Sequence, residues 1–104
     1  MHPGAVARDE ALDRVEQAAD DQWKDVAIRA VRWLAGMHTE FTTDAVWAAI
    51  EHYHPTAQTH EPRAMGPIMM RAKSLKYCEP TDRTVLSTRT QNHRRPIRVW
   101  KSTL

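Results

Sequence analysis

Basic side chains are concentrated in the C-terminal part of this 104-residue chain. Residues 61–104 contain ten lysine and arginine residues against three acidic residues, a net charge of +7, whereas residues 1–60 carry a net charge of −5. An arginine guanidinium can bridge two phosphate oxygens, or O6 and N7 of guanine. Such asymmetry favours an oriented acidic partner for the basic half, most commonly nucleic acid. The alternative interpretation is an ordinary, solvated basic surface.

Side chains that bind metals or act as nucleophiles are few and poorly spaced for either task. His52, His54 and His60 precede the single cysteine, Cys78, but two zinc ligands on one helix face need a four-residue spacing that His52 and His54 lack. Cys78 and His93 could form a catalytic dyad, yet a lone cysteine at a predicted strand start is more often a core residue. No glycine-rich phosphate loop is present. We therefore predict no enzyme activity, no metal and no cofactor.

Composition predicts one soluble domain in a reducing compartment. Hydrophobic residues make up 41% of the chain and charged residues 27%, as in globular proteins. No apolar run approaches the roughly 20 residues that cross a bilayer, and the N-terminus lacks the apolar stretch of a secretory signal. Because one cysteine cannot form an internal disulfide, a cytoplasmic location without a membrane partner is expected.

Two helices are predicted before Gly36, a residue that suits a helix end. Apolar residues recur at helical spacing over residues 7–20 and again over residues 21–35. Asp20 and Asp21 are short carboxylates that cap helices well, so a break near Asp20 is preferred. The alternative is one long helix over residues 7–35.

A third helix is predicted to begin in the stretch FTTDAVWAAIE. Thr42 suits its N-cap, and Asp44 lies in the first turn, where the helix dipole favours a carboxylate. Phe41 can pack onto Val46 as a hydrophobic staple. The helix should end near His52–His54, ahead of a proline.

A fourth helix, over residues 62–76, should have one apolar face and one basic face. Pro62 suits a first turn, but Pro67 would disrupt a helix interior. A loose turn over residues 62–66 is therefore expected, with the regular helix beginning near Gly66-Pro67. Five side chains fall within about one third of the helix circumference and should pack against the core: Met65, Ile68, Met69, Ala72 and Leu75.

Two strands joined by a basic loop are predicted at the C-terminus. β-branched and turn residues follow Lys76 without a helical period, and the stretch PIRVWKS alternates as a strand does. The connecting loop STRTQNHRR, residues 87–95, would be a wing. Residues 38–41 form a short extended piece that would add a third strand to this hairpin.

The order of the last six elements matches a winged helix-turn-helix. The segments FTTDAVWAAIE, HEPRAMGPIMMRAKS and PTDR…STRTQNHRRPIRVW resemble small winged-helix proteins of actinobacterial phages and prophages, over residues 7–102. Pro67 departs from this pattern, where a small helix former is expected. The expected fold is α+β, a winged helix-turn-helix with a three-helix core, an extra N-terminal helix and a C-terminal β-hairpin wing. Residues 1–20 would be a helical extension and residues 21–104 the winged-helix domain.

The expected function is binding of double-stranded DNA in regulation, replication or recombination of phage DNA, within the host cytoplasm. In helix-turn-helix proteins the second helix lies in the major groove, and here that helix is the one over residues 62–76. The wing would contact phosphates or the minor groove, and the start of the preceding helix could bind a phosphate. The candidate DNA-binding residues are Thr42, Thr43, Arg63, Met70, Arg71, Lys73, Ser74, Lys76, Arg89, Gln91, Asn92, His93, Arg94 and Arg95.

The alternative function is a non-enzymatic protein-interaction module, either a host-directed effector or a dimerising adaptor. The acidic N-terminal helices could form a homodimer or bind a host protein. Four tryptophans bear on this choice. Trp23 and Trp47 fall on apolar stripes and should pack in the core, whereas Trp33 and Trp100 could be exposed at an interface.

Overall fold

Over the residues that it describes, 3–61 and 63–104, the computed structural model has three α-helices and one three-stranded antiparallel sheet. Side chains are described for residues 14, 17–61 and 63–104. This confirms the α+β class and is compatible with the expected winged helix. The elements in chain order are α1 (Pro3–Met37), β1 (Glu40–Thr42), α2 (Thr43–Tyr53), α3 (Met65–Ser74), β2 (Cys78–Leu86) and β3 (Pro96–Ser102), with a short 3-10 helix at Thr90–Asn92.

α1 is one uninterrupted helix, so the preferred break near Asp20 is wrong. Asp20 caps no helix, because its carboxylate instead accepts a hydrogen bond at 2.7 Å from the backbone N–H of His60, in the α2–α3 connection. An aspartate inside a helix costs only about 0.7 kcal/mol relative to alanine, whereas a break leaves several backbone groups unpaired. The separate N-terminal helix expected over residues 7–20 is therefore the first half of α1.

The core lies between the C-terminal half of α1, the helices α2 and α3, and one face of the sheet. The ring centroids of Trp23 and Trp47 lie 5.2 Å apart, so these two tryptophans pack against each other as predicted. Trp100 is also buried in this core, so Trp33 alone of the two remaining tryptophans is exposed. Each large apolar side chain that is fully buried contributes about 1.5–3 kcal/mol. The least exposed of them are Trp23, Val31, Val46, Ile50 and Met69.

α3 begins at Met65, next to the Gly66-Pro67 start expected from the sequence. Pro67 is the third residue of the helix, where the backbone N–H has no acceptor inside the helix, so that its absence costs little. Pro62 lies outside the described residues. Four of the five side chains predicted to pack are buried: Met65, Ile68, Met69 and Ala72.

Leu75 was predicted to pack as well, and it is instead 46% exposed. The helix ends at Ser74, two residues before the end expected from the sequence. The chain then turns through Lys76, which has a left-handed backbone with φ of 62°. Leu75 therefore leaves the helix before its side chain can continue the apolar stripe.

β3 is the central strand of the sheet and pairs with both β1 and β2. Phe41 lies opposite Trp100, which places the short extended piece before α2 in the sheet, as predicted. The β2–β3 pairing is interrupted by a bulge between Pro80 and Thr84. No helix in the described part of the chain is both long enough and apolar enough to cross a membrane.

Candidate nucleic-acid interface

The ten basic residues of residues 61–104 divide into two groups by their partners. Four are engaged: Arg83 pairs with Glu40, Arg89 with Glu51, Lys101 with Glu79, and Arg98 donates to the Thr81 carbonyl. The other six form no side-chain hydrogen bond or ion pair with any residue that the structure describes. All six lie on α3, on its flanks or in the β2–β3 loop, residues 87–95: Arg63, Arg71, Lys73, Lys76, Arg94 and Arg95.

The surface of α3 that faces away from the core carries side chains of mixed chemistry. Met70 is 55% exposed, next in sequence to the buried Met69. Arg71 and Lys73 are exposed and unpaired among the described residues. The hydroxyl of Ser74 donates to the Met70 carbonyl at 3.2 Å, so it is already engaged within its own helix. This face thus offers two cations and one apolar side chain to a partner.

One groove joins the turn before α3 to the start of α2 and to the β2–β3 loop. Arg63 and Arg95 line it together with Asn92 and Thr43, and its volume is about 270 Å³. Its apolar walls come from Trp47, Met65, Pro96 and Ile97. Two guanidinium groups on one groove suit a phosphate oxyanion, because each can donate two hydrogen bonds to it. Residues far apart in the sequence are therefore brought to one groove that carries two guanidinium groups.

The base of the β2–β3 loop is fixed to α2 by one carboxylate. Asp44 accepts hydrogen bonds from the Ser87 hydroxyl at 2.8 Å and from the Thr88 backbone N–H at 2.7 Å. Ser87 is only 2% exposed, so the hydrogen that its hydroxyl donates depends on this acceptor. A buried polar group that loses its partner costs about 1–3 kcal/mol. Asp44 therefore determines where the loop leaves the sheet.

Arg89 is also part of this anchor, although the sequence favoured it as a DNA-binding residue. Its guanidinium lies 4.8 Å from the centre of the Trp47 ring and donates to Glu51 at 2.8 Å. Its side chain is only 16% exposed. Arg89 thus fixes the loop on α2, and its charge is already neutralised by Glu51.

The tip of the β2–β3 loop turns sharply and presents the remaining polar residues. His93 and Arg94 have left-handed backbone conformations, with φ of 48° and 59°, which non-glycine residues adopt sparingly. Gln91, His93, Arg94 and Arg95 are exposed. Asn92 is half-buried, and its amide donates to the Ser87 hydroxyl at 3.0 Å, so one of its donors is used within the loop.

The start of α2 is less suited to a phosphate than the sequence indicated. Thr42 occupies the predicted N-cap position with an extended backbone, but its side chain makes no capping hydrogen bond. Thr42 and Thr43 are half-buried. The negative charge of Asp44, in the same first turn, opposes an incoming phosphate. Thr43 nevertheless lines the groove that Arg63 and Arg95 share.

The remaining reactive side chains are dispersed. Among the side chains that the structure describes, no three histidine, cysteine or acidic residues are grouped as metal ligands. Cys78 is 1% exposed, and burial raises the pKa of its thiol to about 11. This shift is opposite to the one that activates a catalytic thiolate.

Several features of this surface were missed by sequence reasoning. The contacts of Asp44 with Ser87 and of Arg89 with Trp47 join residues about forty positions apart, for which the sequence holds no local signal. Tyr53, the last residue of α2, is exposed beside Trp33. Comparison with protein-family models, with curated proteins and with solved structures finds no match for this chain.

Proposed function

We propose that this chain is a small winged helix-turn-helix protein of phage type that binds double-stranded DNA. Support comes from the element order α1-β1-α2-α3-β2-β3 and from the sheet order β1-β3-β2. In this proposal α3 enters the major groove, and the β2–β3 loop contacts the backbone or the minor groove beside it. The process served is regulation, replication or recombination of phage DNA in the host cytoplasm.

The observation that carries the proposal is the distribution of unpaired cations. On the sheet, Arg83 and Lys101 are neutralised by carboxylates, and Arg98 donates to a backbone carbonyl. On α3, on its flanks and in the β2–β3 loop, six cations are left without such partners among the described residues. A merely solvated basic surface gives no reason for the unpaired cations to collect on α3, its flanks and this loop. Phosphate binding gives such a reason, because a protein cation releases counterions from DNA only when no other group of the protein already neutralises it.

The roles of individual residues follow from where the structure places them. Arg71 is the best candidate for a base contact, since arginine can bridge O6 and N7 of guanine, while Met70 can only contact a thymine methyl. Arg63 and Arg95 share a groove that suits one backbone phosphate. Arg94 lies at the loop tip, where a guanidinium can enter a narrow minor groove. Arg89 and Asn92 support the loop from inside and contribute to affinity through its position.

Selection of bound sequences from a pool of random duplexes tests this function without knowledge of the natural site. The proposal predicts binding at low salt that weakens steeply as salt rises. It also predicts enrichment of a short motif, because the exposed face of α3 carries side chains that distinguish bases. Failure to retain any duplex at low salt would contradict DNA binding, and retention without enrichment would remove the base-reading role of α3.

A protein-interaction module is the second candidate function, and one observation favours it. Trp33 and Tyr53 are 46% and 59% exposed, and their rings contact each other at 5.5 Å. Contiguous exposed apolar patches can mark protein interaction sites. Recovery of one defined host protein in a pull-down that depends on Trp33, together with no duplex binding, would favour this function over the first.

A further inference from the structure

Two adjoining grooves lie along α1, outside the candidate DNA interface. The first, between α1 and α2, has a volume of about 340 Å³ and apolar walls formed by Val26, Ala30 and Ala49. The second, of about 440 Å³, shares Arg29 and Trp33 with the first and extends it toward the end of α1. α3 and the β2–β3 loop, both described in full, line neither groove. We call the two grooves together the Trp33 surface.

Exposed apolar side chains are concentrated on the Trp33 surface. Eight large apolar side chains are exposed in the described part of the chain, and half of them line these grooves: Trp33, Met37, Tyr53 and Leu104. The rings of Trp33 and Tyr53 meet edge to face with their centroids 5.5 Å apart, so they form one continuous aromatic patch. Apolar area is unfavourable in water by about 25 cal/mol per Å², and contiguous patches with polar rims mark interaction sites.

The polar rim of the Trp33 surface is cationic. Arg29 and Arg32 are exposed, and His54 also lines the first groove. Arg29 donates to the backbone carbonyl of Asp25 at 3.2 Å, and Arg32 lies 5.9 Å from the centre of the Tyr77 ring. Neither guanidinium pairs with an acidic side chain that the structure describes, and no acidic side chain is among the described lining residues. Two arginine charges therefore adjoin the apolar patch without an internal counter-ion.

The spacing of residues along α1 defines what can bind to this surface. Arg29, Trp33 and Met37 are four residues apart, so a cation, an aromatic ring and an apolar side chain follow one another at intervals of about 6 Å. A matching partner places apolar side chains over Trp33 and Met37 and a carboxylate one helical turn away, opposite Arg29. An amphipathic helix has this spacing, and helices that bind in grooves use apolar anchors at three- and four-residue intervals.

The concave shape of the surface favours a helix over a lipid bilayer, although both can combine apolar groups with negative charge. Helices that lie on bilayers insert a protruding apolar face below the headgroups. Trp33 instead lines a recess between two helices, whose walls a flat layer of headgroups does not reach. Separate side chains that project from a helix can enter such a recess.

We propose that the Trp33 surface binds an acidic amphipathic helix of another protein. Apolar side chains of that helix cover Trp33 and Tyr53, and its flanking carboxylates pair with Arg29 and Arg32. This assigns a partner class to the protein-interaction function that the two aromatic residues favour, and it rests on that function alone. Because the site is separate from α3 and the β2–β3 loop, it holds whether or not the chain also binds DNA.

Selection from a displayed library of helical peptides with random residues tests the proposal on the full-length chain. Peptides retained by the wild type are then titrated, by fluorescence anisotropy, against two charge-reversal variants. The groove variant is Arg29→Glu with Arg32→Glu. The matched control is Arg71→Glu with Arg94→Glu, which makes the same charge change at the candidate DNA interface, a surface that also attracts acidic peptides.

The selected peptides should carry apolar residues at three- and four-residue spacing, flanked by aspartate or glutamate. Their affinity should fall by about tenfold or more on the groove variant, because like charges then meet. It should stay within about twofold on the control, whose substitutions lie at a separate site. Replacing the acidic residues of a peptide by lysine should restore its binding to the groove variant, which also shows that this variant is folded.

Four outcomes would overturn the proposal. The selection could yield no peptide whose binding depends on Arg29 and Arg32, or only peptides without acidic residues. Sedimentation of the chain alone could show a dimer that Trp33→Ala abolishes, which would assign the surface to a second copy. Trp33-dependent binding to phosphatidylglycerol vesicles, without any groove-dependent peptide, would assign it to a membrane.

Discussion

The carboxylate of Asp44 accepts a hydrogen bond at 2.8 Å from the hydroxyl of Ser87, 43 residues further along the chain. It also accepts one from the backbone N–H of Thr88 at 2.7 Å. These bonds join the first turn of α2 to the base of the β2–β3 loop. The position of the loop tip, with Arg94 and Arg95, is therefore determined from α2 as well as from the sheet.

Asp44→Ala should destabilise the fold by about 2–3 kcal/mol, because it removes charge-assisted hydrogen bonds and leaves the buried Ser87 hydroxyl without them. Urea unfolding followed by circular dichroism measures the change. Asp82→Ala is the matched control, since this exposed carboxylate lies on the β2 bulge and should change stability by no more than about 0.5 kcal/mol. Equal effects from the two substitutions would show that the Asp44 contacts contribute nothing.

Adjacent methionines of α3 should respond very differently to truncation. Met69 is 2% exposed, so Met69→Ala should cost about 2–5 kcal/mol through lost burial and the cavity left behind. Met70 is 55% exposed, so Met70→Ala should change stability by less than about 0.5 kcal/mol. The same unfolding experiment compares them. A larger loss for Met70 would mean that the two faces of α3 are assigned the wrong way round.

The stability of the sheet edge should depend on pH through Glu40. The hydrogen bond from Arg83 holds the pKa of Glu40 below its ordinary value of 4.5. At a pH between the two values the unfolded chain binds more protons, so stability rises with pH. The stabilisation from the Glu40–Arg83 pair is fully present above pH 4.5. It is lost as the pH falls through the lower pKa that Glu40 has in the folded chain.

Glu40→Gln should therefore have a flatter stability profile than the wild type between about pH 3 and pH 6. The pair is exposed, so the difference should be small and should shrink as salt is added. Thermal unfolding across this range measures it. A profile for Glu40→Gln as steep as that of the wild type would assign the acid sensitivity to other carboxylates.

Cys78 should act as a reporter of global unfolding. Its pKa of about 11, against an ordinary value of 9.0, reflects burial at the start of β2. At pH 8 about 0.1% of the folded thiol is ionised, against about 10% of an exposed one, so labelling should be slower by roughly a hundredfold before access is considered. Labelling with an aromatic disulfide reagent should follow the unfolding transition in urea. Rapid labelling in native buffer would show that β2 opens locally.

Local sequence patterns were sufficient for most elements of this fold. The turn residues Gly66-Pro67 placed the start of α3 correctly, because proline is tolerated only in a first helical turn. The alternation in PIRVWKS predicted β3, and the extended piece before α2 predicted β1. Each of these features depends on neighbours a few positions away, so the sequence contains them directly.

Tertiary contacts explain what the sequence did not reveal. Asp20 looked like a helix cap, but a backbone N–H from His60 satisfies its carboxylate, and α1 continues through it. Arg89 is a predicted DNA-binding residue, and the structure places its guanidinium against Trp47 and Glu51. Nothing local distinguishes Arg89 from Arg94, since both are arginines of one basic loop. Their difference arises only when the loop packs on α2.

The proposed DNA interface is tested most directly by two matched triple variants. Arg71→Ala, Arg94→Ala and Arg95→Ala together remove three cations that are unpaired among the described residues. Arg83→Ala, Arg98→Ala and Lys101→Ala remove three cations that are engaged on the sheet. Both variants lose the same net charge, so a difference in their DNA affinity depends on where the removed cations lie. Circular dichroism at the assay temperature establishes that both are folded.

The measurement is the affinity of each variant for duplex DNA at several salt concentrations. The first variant should bind weaker than the wild type by about one to two orders of magnitude, with a salt slope lower by nearly 3, because about 0.9 of an ion is released per phosphate neutralised. The sheet variant should retain nearly all of the wild-type affinity and slope. Equal losses in the two variants would contradict an interface formed by α3 and the β2–β3 loop.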